Sequence, residues 1–447
     1  MQNHTTKYPN LKQLELLVWR ICQFFFIEIM KRILEDLDAQ IAQERDTQRF
    51  RMKEKSPTVI NSLFGAIPIK RNYYFDQKAH ESVYLLDRYL EFEGRNALSP
   101  LVEEVALALA INGPSYRKAA ETLEKFLGYR VISHEAIRQH LMASEVLQKA
   151  RETVHSPVLF VEVDGLYIKH QRQSKRGKEE KIAVIHQGWE TNGKRVRLKH
   201  KRHFVHDGEQ PFWEAFEKFL MDEFDYDPTK HKLVINGDGA KWITACREYF
   251  KERAFYCMDR FHLAREIRRL CRKHPRYRQM QEALEAYDSQ RLLTELNSAV
   301  GTLQTAEQEA RLEQLIQQIE KHPQAVEDYR QWLQEQGIDT TGMRPMGSAE
   351  STMHVFAKRL KQGRSWSEKG ARAMMRGLVA RLDNLGLKTL FGRVEAWPTS
   401  QEEDKPPKCY AEKVTKTFEQ VARDNIPYLK NKANLPVYRA LKGLVGF

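Results

Sequence analysis

Hydrophobic positions recur along this chain with two different periods. Residues 14–30 are strongly apolar, with Phe24, Phe25 and Phe26 in a row, and helical spacing continues through Ile33, Leu34, Leu37 and Ile41. Glu15, Arg20 and Glu28 interrupt the run and no small-residue cleavage site follows it. It therefore reads as an amphipathic helix, neither a spanning helix nor a signal peptide, expected to pack against the body or a second subunit. Residues 56–75 are rich in β-branched and aromatic side chains around Gly65 and predict a small hairpin. Lys70, Arg71, Tyr73 and Tyr74 put basic and aromatic groups side by side there. That suits a nucleic-acid surface, and a hairpin packed by its tyrosines suits it equally. Helical spacing resumes at about residue 81 and lasts to about 150. Within it, residues 115–141 have the grammar of a helix-turn-helix. Ser115 caps a first helix, Gly128 ends it, and Ser133 starts a second that carries His134, Arg138 and Gln139 on its open side. In a DNA reader Arg138 and Gln139 would face bases; the same hairpin also serves as a plain packing unit.

The central region changes to strand patterns. Residues 158–168, VLFVEVDGLYI, form an apolar β-branched run with Asp164 inside it, beside a glycine. Burying a carboxylate is costly unless something pairs with it. A backbone-bonded structural Asp is the plain explanation. A second stretch, KLVINGDGAKWI at 232–243, repeats the design with Asp238. Two strand-borne aspartates suggest a shared cation, since hard divalent metals take oxygen ligands. Further strands are expected at 181–190, 195–205 and 254–259, with helices at 212–224, 241–251 and 261–273. The first three strands make an antiparallel meander. The order βββαβαβα is the ribonuclease H-like plan, with the fourth strand parallel to the first and Asp164 and Asp238 on neighbouring strands. Residues 276–337 then read as an all-helical insertion. Glu350 opens a later helix, where a carboxylate is commonly a dipole partner or cap. Ser365 and Glu368 are read as a capping box for the helix after that.

Composition adds a partner. The 447 residues carry a net charge of +13, with 41% hydrophobic and 30% charged residues, and the pI is about 9.3. A soluble protein with that balance points to a polyanion, most simply nucleic acid. Residues 169–203 hold twelve Lys or Arg and three Glu. This concentration beside Asp164, including Lys175, Arg176 and Lys178, reads as a phosphate-backbone track, against the alternative of a solvated hairpin face. Five scattered cysteines without a CxxC pair fit a reducing cytosol and argue against disulfides or a zinc site.

The motifs VEVDG, NGDGAKWI, MDRFHL and GSAES, in this order, resemble those of the DDE transposases of bacterial insertion sequences, nearest the ISLre-type family, which is similar to the Mutator-like group. FGAIPIKRNYYF and SYRKAAETL also look like that family's N-terminal segments, and the resemblance covers roughly residues 50–385. It implies that Asp164, Asp238 and Glu350 form the metal-holding triad, with Asp259 and His262 as an accessory Asp-x-x-His motif. Thr352 stands where the family pattern carries Asn. It further implies two Mg2+ (or Mn2+) ions, double-stranded DNA partners at element ends and targets, a homo-oligomer in the DNA complex, a bacterial cytoplasmic location and no membrane. The expected architecture is an α/β ribonuclease H-like core with a helical insertion, plus a mostly helical N-terminal DNA-binding region with a small β-hairpin. Its expected segments are 1–50, 51–150, 151–275, 276–343, 344–390 and 391–447. A metal-dependent nuclease on the same fold and a non-catalytic DNA-binding relic are the alternative readings.

Overall fold

The structure is a computed structural model that describes residues 9–90, 98–147, 153–171, 177–193, 195–347, 349–389 and 392–394. The expected segment 391–447 therefore falls almost wholly outside the described residues. The described residues form two compact units, one within 1–145 and 386–447, the other within 146–385.

The first unit opens with helix α1 (Leu11–Glu44), started by an Asn10–Gln13 capping box. Its Leu34 packs with Ile60, Ile67, Ile69 and Leu86 in one apolar cluster. β1 (Phe50–Ser62) and β2 (Gly65–Asp76) pair antiparallel from Phe50↔Asp76 to Ser62↔Gly65, and β3 (Glu81–Val83) pairs with β2. The hairpin is thus longer than the sequence pattern shows, because its first half carries charged residues on an exposed strand. Gly65 has φ +146°, and Ile27 Cδ1 lies 2.5 Å from where a Cβ would stand. Of the two uses left open for residues 70–74, a nucleic-acid surface or a packed hairpin, packing prevails. Tyr74 is fully buried, while Arg71 lies 3.7 Å from the Tyr84 ring centroid and pairs with Asp87. Only Lys70 of the four is exposed.

Four helices follow: α2 (Leu85–Tyr89), α3 (Pro100–Asn112), α4 (Tyr116–Leu127) and α5 (His134–Ala143). Ser115 and Ser133 accept bonds from the Lys118 and Ala136 amides, and Gly128 ends α4 with φ +80°. Leu123, Leu127, Ile137 and Leu141 fill the space between α4, α5 and α3. Burying each contributes about 2 kcal/mol. A short strand, β4 (Glu145–Val146), comes next.

The second unit is a mixed α/β body. Its strands are β5 (Val158–Lys169), β6 (Gly177–His186), β7 (Trp189–Asn192), β8 (Arg195–Leu198) and β9 (Arg202–Val205). Then come α6 (Phe212–Glu223), β10 (Lys232–Gly237), α7 (Lys241–Thr244), α8 (Cys246–Phe250), β11 (Ala254–Met258) and α9 (Arg260–Cys271). The sheet order is β11-β10-β5-β6-β9. β5, β6 and β9 are antiparallel neighbours, and β10 runs parallel to both β5 and β11. Two expected strands come out differently. Residues 181–190 and 195–205 each break, at Gly188 (φ +108°) and near His200 (φ +48°), so that β7 and β8 form a separate ribbon while β6 and β9 join the main sheet. The expected helix at 241–251 divides at Ala245, a break no residue in the sequence marks.

One face of the sheet buries Leu159, Val161, Val163, Leu233 and Ile235 against Phe216, Leu220 and Phe250. The region after α9 is helical, as expected: α10 (Tyr277–Glu285), α11 (Ser289–Asn297), α12 (Ala306–Lys321) and α13 (Tyr329–Glu335). It makes no separate core. Its Met280, Leu284, Leu292, Leu296 and Leu312 belong to the same apolar cluster as β5 and β10. The other sheet face buries Val158, Phe160 and Val234 against Tyr329 and Leu333 of α13. α14 (Ala349–Leu360) packs against β5 and β6. α15 (Glu368–Leu382) is capped by Ser367, which accepts from the Gly370 amide, so the expected Ser365–Glu368 capping box does not form. β12 (Leu387–Thr389) and β13 (Gly392–Val394) pair antiparallel and belong with the first unit. Among the described residues no helix is long and apolar enough to cross a membrane, and Cys22, Cys246, Cys257 and Cys271 are free thiols.

Candidate active site

β-Branched residues and the lack of Gly or Pro through VLFVEV hold β5 extended, and LVIN does the same for β10. Their register pairs Val163 with Gly237. Asp238 follows β10 and Asp164 stands beside it on β5, so two carboxylates lie abreast where the parallel pairing ends, while β5 runs on to Lys169. Ligand sites of open α/β sheets lie at the carboxyl ends of parallel strands such as β10 and β11. Asp238 is exposed and accepts the Ala240 amide at 3.0 Å; Asp164 is half-buried and accepts the Gly165 amide at 2.7 Å. Burial pushes the Asp164 carboxyl up to about 6. The Gly165 bond opposes that rise, the Asp238 charge adds to it, His262 opposes it and Asp259 adds to it.

Those last two groups come from the third parallel strand. Asp259 follows β11 and caps α9, accepting the His262 amide at 2.9 Å, while its second oxygen accepts from Asn236 Nδ2 at 2.8 Å. His262 Nδ1 lies 3.6 Å from Asp259 and is buried without a hydrogen-bond partner. The structure therefore brings together four of the residues singled out from sequence: Asp164, Asp238, Asp259 and His262.

Glu350 lies in the first turn of α14, exposed to solvent. Its helix packs on β5, but the charges bearing most on Asp164 are those of Asp238, His262 and Asp259. Among the described residues no three His, Cys, Asp or Glu side chains are grouped so as to hold a metal ion. The donor chemistry does fit a hard divalent cation: two carboxylates abreast, one with its proton affinity raised chiefly by burial, and an orphaned imidazole nitrogen beside them.

The insertion reaches this end of the sheet. Gly239 has φ +88°, and Gln318 Nε2 of α12 lies 1.7 Å from where its Cβ would stand. A cleft of about 390 Å³ is lined by Asp238, Asp259, His262 and Arg265 together with Arg311 and Gln318 of α12. Sequence reading missed α9 as a charged element. Residues 260–278 hold eight Lys or Arg and a single acid, Glu266, a density visible in the sequence but eclipsed by the count at 169–203.

The expected DNA-contacting residues are scattered. Lys175 and Arg176 lie outside the described residues. Lys178 is exposed and paired with Glu368 at 3.2 Å. On α5, Arg138 is tied to Glu135 at 2.5 Å and Gln139 is exposed. Glu135 engages Arg138 because the two are three residues apart on one helix face.

Comparison with known proteins gives little chemistry. No curated protein matches the chain. Among solved structures it is similar to the Drosophila P element transposase strand transfer complex at 8% identity, covering 62% of this chain and 77% of that chain, with a TM-score of 0.23. In sequence, residues 4–395 match the uncharacterised protein family UPF0236, and the chain belongs to that family.

Proposed function

We propose that the chain is a transposase of the DDE type, cleaving DNA strands at the ends of an insertion sequence and joining them to a target, on a ribonuclease H-like sheet. The observation that carries this reading is the strand register that sets Asp164 and Asp238 abreast where the parallel pairing of β5 and β10 ends. The motif resemblance to ISLre-type transposases supports it independently. Asp164 and Asp238, with Glu350 brought over by α14, would hold Mg2+ or Mn2+ ions. When bound, such ions activate the attacking oxygen and stabilise the leaving oxygen of an in-line phosphoryl displacement. His262 is held by its helix start and aims a ring at the same cleft, where it orients a phosphate oxygen. Asp259 fixes that helix start and acts as a positioning residue.

DNA is the partner on this reading, with α4 and α5 as a helix-turn-helix that presents Gln139 and Arg138 to element ends, and Lys175, Arg176 and Lys178 on the backbone. The working complex is a homo-oligomer on two ends in a bacterial cytoplasm. The test is incubation with the element's own end sequences, with and without divalent metal. Metal-dependent nicks leaving 3′-hydroxyls, followed by their joining to a second duplex, are expected, and Asp164→Asn abolishes both. Nicks without joining would make the chain a nuclease. Specific binding without nicks in any divalent metal would make it a non-catalytic DNA-binding relic.

A further inference from the structure

We infer that the outer face of α9 is a backbone track for the DNA strand that leaves the candidate active site, an assignment that rests on the DNA-cleaving reading above. α9 starts at Asp259, inside the cleft. Leu263, Ile267 and Leu270 turn one side of it into the core. The opposite side carries Phe261, Arg265, Arg268 and Arg272, at steps of four, three and four residues, which keep one face of an α-helix. All four are exposed, Phe261 by 50%. The stripe spans about 16 Å of helix, enough to follow several successive phosphates.

Three observations make this stripe a track rather than a solvated face. First, it is continuous with the site, because Arg265 lines the same cleft as Asp238 and Asp259. Second, its arginines are not consumed internally. Glu266, the one acid of the segment, sits off the stripe and engages Arg269 at 2.6 Å and Arg311 at 3.1 Å. Among the described residues no carboxylate lies within ion-pair distance of Arg265, Arg268 or Arg272. Third, the end nearest the site is aromatic: Arg265 stacks on Phe261 at 5.4 Å and the His262 ring meets it at 5.8 Å, with half of Phe261 still exposed. A ring beside cations suits a base unstacked next to the cleaved phosphate, with the cations on the phosphates beyond it. The occupant is thus a DNA strand, opened at the site and running outward along α9.

The test uses the full-length protein without divalent metal, so that it reads binding alone. Affinity for a random duplex and for a single strand is measured across a salt series. Arg268→Gln with Arg272→Gln should weaken both and lower the slope of log affinity against log salt by roughly 1.4 for single strands and 1.8 for duplex. Phe261→Ala should weaken the single strand more than the duplex. Arg278→Gln with Arg291→Gln removes the same charge from the ion pairs around Glu282 and should leave the slope unchanged. A folded α9 variant with the wild-type slope, or an equal loss in the control pair, overturns the track. Wild type that binds with the expected slope but never nicks in metal sinks the catalytic reading and leaves the track standing.

Discussion

Asn236 donates its side-chain amide to Asp259 at 2.8 Å, linking the penultimate residue of one parallel strand to the first residue after the next. Asp259 spends its other oxygen on the His262 amide. Both carboxylate oxygens are therefore committed to holding the start of α9, and with it His262 and the arginine stripe. A group so engaged positions its neighbours more readily than it takes up a ligand.

This relationship sets the first prediction. Asp259→Ala removes the cap of α9 and leaves a nearly fully buried amide without its acceptor. The cap is worth about 1 kcal/mol and the orphaned donor about 1–3 kcal/mol, so a loss of about 2–4 kcal/mol is expected in urea unfolding. Asp259→Asn keeps an oxygen for the cap and should lose less than half as much. Wild-type stability in Asp259→Ala would mean that the cap and the Asn236 bond contribute nothing.

Asp164 sets the second. Its carboxyl, ordinarily near 3.8, is raised to about 6 in the folded protein. Between those values the folded chain holds a proton that the unfolded chain has released. Stability of the metal-free protein must therefore fall as pH rises through that window, and the penalty is complete above about 6. The shift corresponds to up to about 3 kcal/mol. Asp164→Asn removes the penalty, so in a metal chelator it should be more stable than wild type at neutral pH and equal to it near pH 4. Adding magnesium should stabilise wild type and not the variant. A variant less stable than wild type at neutral pH in chelator would show that Asp164 is satisfied without a cation.

The sheet and its two aspartates were legible because their signals are local. VLFVEVDG and VINGDG each carry an apolar strand, a carboxylate and a glycine within a few residues, and strand order follows from short connections. The helical hairpin was legible for the same reason, through Ser115, Gly128 and Ser133. Tertiary effects were not. The local pattern leaves open whether Arg71 and Tyr74 turn inward, since that depends on Tyr84, Asp87 and α1 arriving from elsewhere. The bend at Gly188, which splits one expected hairpin into a sheet strand and a ribbon, depends on where the sheet ends. The approach of Gln318 to Gly239 joins residues 79 positions apart and leaves no trace in periodicity. The charge of α9 was readable but diffuse, because core residues interleave with the arginines.

The third carboxylate is the assignment most open to test, because two glutamates compete for it. Glu162 shares a strand face with Asp164, two residues earlier, which places it about 7 Å further back along β5. It is 1% exposed, and His186 Nε2 lies 3.7 Å from it. In the sheet it stands between Asn236 and Val184. A side chain so enclosed cannot swing to the strand ends without opening the sheet. Glu350 has the opposite character: it is exposed, in the first turn of a helix that packs on β5, and free of such confinement. On the proposed reading, bound divalent metal draws it toward the aspartate pair. Glu350→Gln should therefore keep the fold and DNA affinity while nicking in magnesium falls by about 10²–10³-fold or more, the scale of losing one transition-state group. Manganese, which tolerates poorer ligand sets, should restore a trace. Glu162→Gln should retain measurable nicking and lose stability instead, because it disturbs a buried pairing. Single-turnover nicking and urea unfolding on the same two variants decide the matter. Near-normal nicking by Glu350→Gln, with a folded but inert Glu162→Gln, would move the third carboxylate from the helix to the strand.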